Sequence, residues 1–466
     1  VAVSPAGNGL AVAEGLRGNC GMLSRFFRLQ ENGTTVGREV QAGITTFAAM
    51  AYVLAVNPAI LEQAGMERAA LVTITALSAA TATVLMALLT NYPIALAPGM
   101  GINAFFTFSI CLGAGVHWSQ ALGMVFVNGC IFLLLSVTGV REKIVDSIPY
   151  PLKIAITCGI GLFIAFIGLK NGGMVVASAA TFVTHGDFAS GPVALCLGGI
   201  LLTAVLVARR VPGAIVLGIV AVTVAGLFVP NGKGGTVTAL PSSWFSLPAS
   251  PAPHFLKLDL GFLADGAQFL KTFPLILTLL LVDMFDNIGT LIGVTKRAGF
   301  LGPDGRLPRV GRALVADSIA AILSSLFGTS TVVSYIESAS GVEAGGRTGL
   351  TTLTTAALML AALFLTPLIL AVPAVATAPA LVIVGIFMLQ SAVEVRMDDF
   401  TTAAPAVLTI IAIPLTFSIA QGIGLGLIAA AVLAVATGKP RGFTTVGYVI
   451  AAVFFLEFFR IFPFGG

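Results

Sequence analysis

Apolar segments of about 18 to 25 residues recur from Val40 to Gly438, each long enough to cross a hydrocarbon core about 30 Å thick. No other feature constrains the fold as much, because a backbone in lipid must satisfy its own hydrogen bonds, and helices do so within one segment. Windows bounded by Gly, Pro and charge give seven spans near 40–61, 69–91, 94–113, 119–139, 151–169, 191–209 and 212–230. After a polar linker at 231–265 come seven more, near 266–295, 311–327, 330–342, 349–371, 374–393, 402–419 and 421–438. Only 9% of the residues are charged, against roughly 25% in a soluble domain, which leaves no room for a large soluble unit. The expectation is an all-α polytopic membrane protein with 14 transmembrane segments in a cell membrane.

Lysine and arginine test this map, since they collect in cytoplasmic loops. With the N-terminus inside, 17 of the 24 fall in cytoplasmic loops, while Arg68, Lys170, Lys233, Lys257 and Lys271 fall outside. Both termini are then cytoplasmic. Seven spans per half is an odd number, so the second half starts from the opposite face, and the two halves become a 7+7 inverted repeat. The chain divides into a disordered tail (1–24), a first repeat (25–230), an external linker (231–265), a second repeat (266–441) and a C-terminal apolar segment (442–466) that lies in the interface or reinserts. The net charge of +4 reflects loop placement and implies no nucleic-acid partner. Five scattered cysteines show no metal-ligand spacing and read as small buried hydrophobes, so no metal or cofactor is expected.

The third span of each half is irregular. In "NYPIALAPGMGINAFFTFSI", Pro93, Pro98, Gly99 and Gly101 precede Asn103, which is expected to cap the helix that follows. In "FGTSTVVSYIESASGVEAGG", β-branched residues lead into Ser334-Tyr335-Ile336-Glu337, an S-x-x-E pattern that predicts a capping box. Spans 3 and 10 should therefore contain short extended segments. Inverted topology then aims two half-helix N-termini at one polar site near mid-membrane.

The run "LVDMFDNIGTLIGV" places Asp283, Asp286, Asn287 and Thr290 within about 100° of one another on a helix, a single polar stripe. An aspartate at mid-span costs roughly 2.5–3.5 kcal/mol, so the stripe must face protein or water. Burial and like charge both oppose ionisation of so close a pair, which suits a carrier coupled to a proton. Glu337, also inside the membrane, reads as functional for the same reason. Glu39 and Arg38, at the start of span 1, are expected at the interface.

The stretches "GTTVGREVQAGITTFAAMAYVLAVNP", "ALAPGMGINAFF", "VDMFDNIGTLIGV" and "GTSTVVSYIESASGVEAGGRTGLT" resemble, in this order, the azaguanine-like branch of the nucleobase–cation symporters. That branch contains the guanine, hypoxanthine and adenine permeases. The resemblance covers about Arg25 to Arg441. It implies the uracil-permease fold, with spans 1–4 and 8–11 as core and spans 5–7 and 12–14 as gate, usually in a homodimer. It also implies substrate binding at Gly101, Asn103, Asp283, Glu337 and the adjoining Ser338, and proton coupling, or sodium in its place, through Asp283, Asp286 and Glu337. Phe105 or Phe106 is a candidate for stacking on the purine ring. Asn287 stands where many relatives carry a small hydroxyl residue.

Two rival functions fit less well. A same-fold transporter of an inorganic anion such as sulfate usually carries a soluble C-terminal domain, and three intramembrane acids repel an anion. An intramembrane enzyme using D-x-x-D to hold Mg²⁺ for prenyl-diphosphate transfer needs a second acidic motif on another helix, and the sequence offers none of that form.

Overall fold

The protein is described from a computed structural model, which describes residues 21, 24–138, 149–232, 234–241, 243–297, 300, 309–438 and 443–459. Side chains at 285, 286, 288, 289, 292, 293, 296, 297 and 457 lie outside that description. Nearly all of the expected tail lies outside it too.

The first span is two helices, α1 (Val36–Met50) and α2 (Val53–Leu61), separated at Ala51-Tyr52. Thr35 caps α1 by accepting the Arg38 amide. Helix α3 (Arg68–Thr90) returns and ends at Asn91, whose φ of 58° is left-handed. Strand β1 (Leu96–Pro98) leads into α4 (Met100–Ala104), which runs on as a π-helical turn from Phe105 to Gly113. Helices α5 (Trp118–Thr138) and α6 (Tyr150–Asn171) follow, then an exposed hairpin of β2 (Val175–Ser178) and β3 (Phe182–His185), then α7 (Gly191–Ala208) and α8 (Ala214–Ala225).

The second half opens with the long α9 (Gly266–Arg297), followed by α10 (Val310–Phe327), β4 (Val332–Ser334) and the short α11 (Ser338–Glu343). Helices α12 (Gly349–Ala361), α13 (Thr366–Leu370), α14 (Ala374–Leu389), α15 (Phe400–Thr416), α16 (Ile419–Ala436) and α17 (Thr445–Phe458) complete the chain. Among the described residues ten helices are long and apolar enough to cross a membrane, and Met100–Gly113, Ala214–Ala225, Phe400–Thr416 and Thr445–Leu456 are shorter apolar helices. The C-terminal apolar segment is thus the helix α17, which packs Phe454 and Phe458 against Gly424 of α16.

Two observations explain how so apolar a chain packs. Helices α6 and α14 approach until a methyl group on Gly161 would stand 2.8 Å from the Gly385 carbonyl, so only glycine fits, as expected where helices associate without a hydrophobic gradient. Second, β1 and β4 pair antiparallel across the two halves, with Leu96 opposite Ser334, Ala97 opposite Val333 and Pro98 opposite Val332. Extended backbone is tolerated at membrane depth only where protein satisfies it. Here the other edge of β1 is closed by Thr83 of α3, whose hydroxyl accepts the Leu96 amide and donates to the Leu96 carbonyl, both at 2.9 Å.

The local capping expectations fail for one reason: the strand pair claims the backbone first. Asn103 lies inside α4, whose cap is Gly99, and the Asn103 amide donates to the Gly99 carbonyl at 2.8 Å. Ser334 remains in β4 opposite Leu96, so the helix starts at Ser338. Its cap residue, Glu337, makes no side-chain capping bond. No capping box forms. Glu39 is not at the interface but fully buried.

Candidate functional site

Antiparallel pairing puts the C-terminal end of β1 beside the N-terminal end of β4, so α4 and α11 leave the strand pair from opposite ends. Each end carries its own polar cluster.

At the Pro98–Val332 end, three consecutive residues reach three different elements. Thr329 accepts from the Asn57 amide of α2 at 3.4 Å, Ser330 donates to Asn103 Oδ1 of α4, and Thr331 donates to Asp283 Oδ2 of α9 at 3.1 Å. The same Asp283 oxygen accepts from Asn128 Nδ2 of α5 at 3.1 Å. Asp283, Asn103 and Asn128 are all fully buried, and among the described residues Asn103 Nδ2 and Asn128 Oδ1 have no partner. Asp283 and Asn287, the buried members of the α9 stripe, therefore face protein, as the cost of an aspartate in lipid requires. One turn further along it, Asn287 Oδ1 accepts the Ser334 amide at 3.3 Å, so the stripe runs alongside β4. The Asp286 side chain lies outside the described residues.

At the Leu96–Ser334 end stands Glu337. Its Oε1 accepts from the Tyr52 hydroxyl at 2.6 Å, and the residue is half-buried while every other member of these clusters is buried. Ser338 is fully buried and accepts the Ala95 amide at 3.0 Å, so its hydroxyl is occupied in holding the chain that enters β1. Tyr335 donates to the Pro98 carbonyl at 2.6 Å, and its ring centroid lies 6.5 Å from that of Tyr52.

The predicted residues thus fall into two groups at the ends of a three-residue strand, whose end Cα atoms lie about 7 Å apart at 3.3 Å per residue. Gly101 serves packing between helices: a methyl group there would stand 2.7 Å from Ile160 of α6. Phe105 and Phe106 are both fully enclosed in the main core, and neither offers an open ring face in this conformation. Sequence reasoning missed Tyr52, Asn128 and Thr331. Asn128 carried a readable signal, a lone amide within an apolar span. Tyr52 and Thr331 carried none, since their roles depend on partners 285 and 48 residues away.

A family model described as the permease family (Xan_ur_permease) matches residues 37–425. The chain belongs to this permease family. It is 41% identical to the guanine/hypoxanthine permease PbuG of Bacillus subtilis, covering 94% of this chain and 99% of that one. It is 40% identical to the adenine permease AdeQ of Escherichia coli, covering 94% and 96%. Among solved structures, the transmembrane domain of the cyanobacterial bicarbonate transporter BicA superposes with a TM-score of 0.62 at 16% identity, over 84% of this chain and 97% of that one. SLC26A9 gives 0.58 at 12% identity, over 86% and 65%. At such identities these two speak for the fold alone. The protein is a multi-pass membrane transporter of the permease family and not an enzyme.

Proposed function

We propose that the protein carries purine nucleobases, guanine, hypoxanthine or adenine, into the cell in symport with a proton. The observation that carries this reading is Glu337: an acid at membrane depth, with one side-chain donor and residual access, at the end of a strand pair built from both halves of the chain. An ionised carboxylate only accepts, and its two oxygens match the N1–H and 2-amino edge of guanine or the N1–H of hypoxanthine. Adenine has an acceptor at N1 and calls for a donor, and the unpartnered Asn103 Nδ2 is one.

Asp283, enclosed at the other end of β4, is assigned to proton relay and to holding Thr331. Asp286 joins it on sequence spacing alone. The purine relatives support the substrate class, and the anion-carrying neighbours share the fold at identities too low to bear on substrate.

The architecture in this reading is 14 crossings as a 7+7 inverted repeat with cytoplasmic termini, arranged as a homodimer in the cell membrane. Spans 1–4 and 8–11 move as a rigid core against the gate. Such movement would part Phe108 of the π-helical turn from Phe163 of α6 and from Phe417, whose ring centroids lie 6.2 and 6.1 Å away. The test is hypoxanthine, guanine and adenine uptake into proteoliposomes under an inward proton gradient, with and without sodium. The account expects proton-driven, sodium-independent uptake, with hypoxanthine uptake reduced about 100-fold in Glu337→Gln. Unchanged uptake in that variant would refute it.

A further inference from the structure

Tyr52 occupies the joint between α1 and α2, where the first span is interrupted. Its ring is 3% exposed, so the phenol has little freedom, and its hydroxyl reaches 2.6 Å to Glu337 Oε1. A bond of that length between a hydroxyl and a carboxylate has the geometry of a charge-assisted one. Glu337 is the residue preceding α11, and an acid there ordinarily turns back to cap its own helix. It makes no such cap bond: besides its own backbone amide, the carboxyl group meets the Tyr52 hydroxyl. The Tyr52 ring in turn lies beside Tyr335, which is tied to the Pro98 carbonyl at the end of β1. The acid, the broken first span and the strand pair are thus one connected unit.

A carboxylate offers about four lone-pair positions, and Tyr52 fills one of them on Oε1. With a phenol O–H and its own backbone amide already donated, the carboxylate keeps acceptor positions that suit further donors. We propose that Tyr52 is a positioning and specificity-determining residue, which aims Glu337 so that the free edge of its carboxylate selects purines that donate at N1 over those that accept there. The inference rests on the purine-transport reading above. It goes further in assigning discrimination to a residue that itself need not touch the substrate.

The test compares Tyr52→Phe with Tyr335→Phe in proteoliposomes, using hypoxanthine, guanine and adenine as substrates. Both variants remove one short hydroxyl bond from the same region, but only the first removes it from Glu337. Tyr52→Phe should raise KM for hypoxanthine and guanine about 10-fold, the loss expected for one hydrogen bond to a charged group. It should leave kcat within about threefold and KM for adenine within about twofold. Tyr335→Phe should affect all three purines alike. The double variant Tyr52→Phe/Glu337→Gln should behave as Glu337→Gln alone, because the two residues act as one unit. Equal KM changes for the three purines in Tyr52→Phe, or none, would overturn the proposal, as would a double variant with additive losses. If wild-type protein takes up purines and Glu337→Gln loses about 100-fold of hypoxanthine uptake, the transport reading stands whatever Tyr52→Phe does. If wild-type protein takes up no purine, both fall.

Discussion

Two glutamates, one from each half of the chain, have opposite surroundings. Glu39 of α1 is fully buried and accepts five hydrogen bonds: the amides of Arg347, Thr348 and Thr351 at 2.9, 3.1 and 3.2 Å, and the hydroxyls of Thr348 and Thr351 at 2.8 and 2.6 Å. Those donors form the start of α12, where a carboxylate satisfies orphan amides and favours the positive end of the helix dipole. Glu337 is half-buried with Tyr52 as its side-chain donor. An acid whose acceptor positions are filled by its own chain is a structural joint. One with acceptor positions left over is, in the proposed function, the place where a ligand's donors bind.

The largest effect should come from the filled carboxylate. Glu39→Ala strands several buried donors at once and should lower stability by on the order of 4 kcal/mol, read as thermal unfolding in detergent. A variant that melts with wild type would remove the structural half of the comparison. Glu337→Gln should do the reverse, with a melting temperature close to wild type and hypoxanthine uptake reduced about 100-fold, since a site built to pair with substrate N–H groups loses its acceptor. If the melting temperature fell as far as in Glu39→Ala, Glu337 would be a second joint and not a site.

Gly101→Ala sharpens the comparison from the packing side. Its methyl group would meet Ile160 of α6, so the variant should slow turnover about 10-fold while KM changes less than twofold. A rise in KM with unchanged turnover would return Gly101 to the substrate.

The smallest effect is expected at His254, in the linker between the halves. Its Nε2 accepts the Glu67 amide at 2.9 Å, and burial holds the imidazole below its usual pKa, opposed in part by the negative charge of Glu67. The folded protein therefore binds this proton less readily than the unfolded chain. The contribution of neutral His254 is intact above about pH 6.5 and is lost as pH falls below it. The melting temperature should drop by a few degrees between about pH 7.5 and 5.5 and drop less in His254→Phe. Identical pH slopes in the two proteins would contradict this.

What the sequence made legible was whatever depends on period or on a single backbone. The apolar runs marked the helices, and Pro93, Pro98 and Gly99 together with the β-branched Thr331-Val332-Val333 marked the two places where helices give way to strands. The stripe on α9 was legible because an aspartate in lipid is too costly to leave unpaired. Partnerships between distant segments were not. Glu39 lies 308–312 residues from its donors, and nothing near it distinguishes a buried cap from an interfacial charge. The S-x-x-E pattern was sound as local chemistry but lost to β1, a competitor 238 residues away, as Leu96 and Ser334 show. Cys130 likewise is exposed, although its apolar surroundings suggested burial.

The central claim is that a purine is held by Glu337 beside the paired strands. The most direct measurement is an experimental structure of the full chain with hypoxanthine bound. The account predicts the base edge-on to the Glu337 carboxylate, N1–H toward Oε2, with Tyr52 still bonded to Oε1. A base bound elsewhere, with Glu337 still holding only Tyr52, would contradict it.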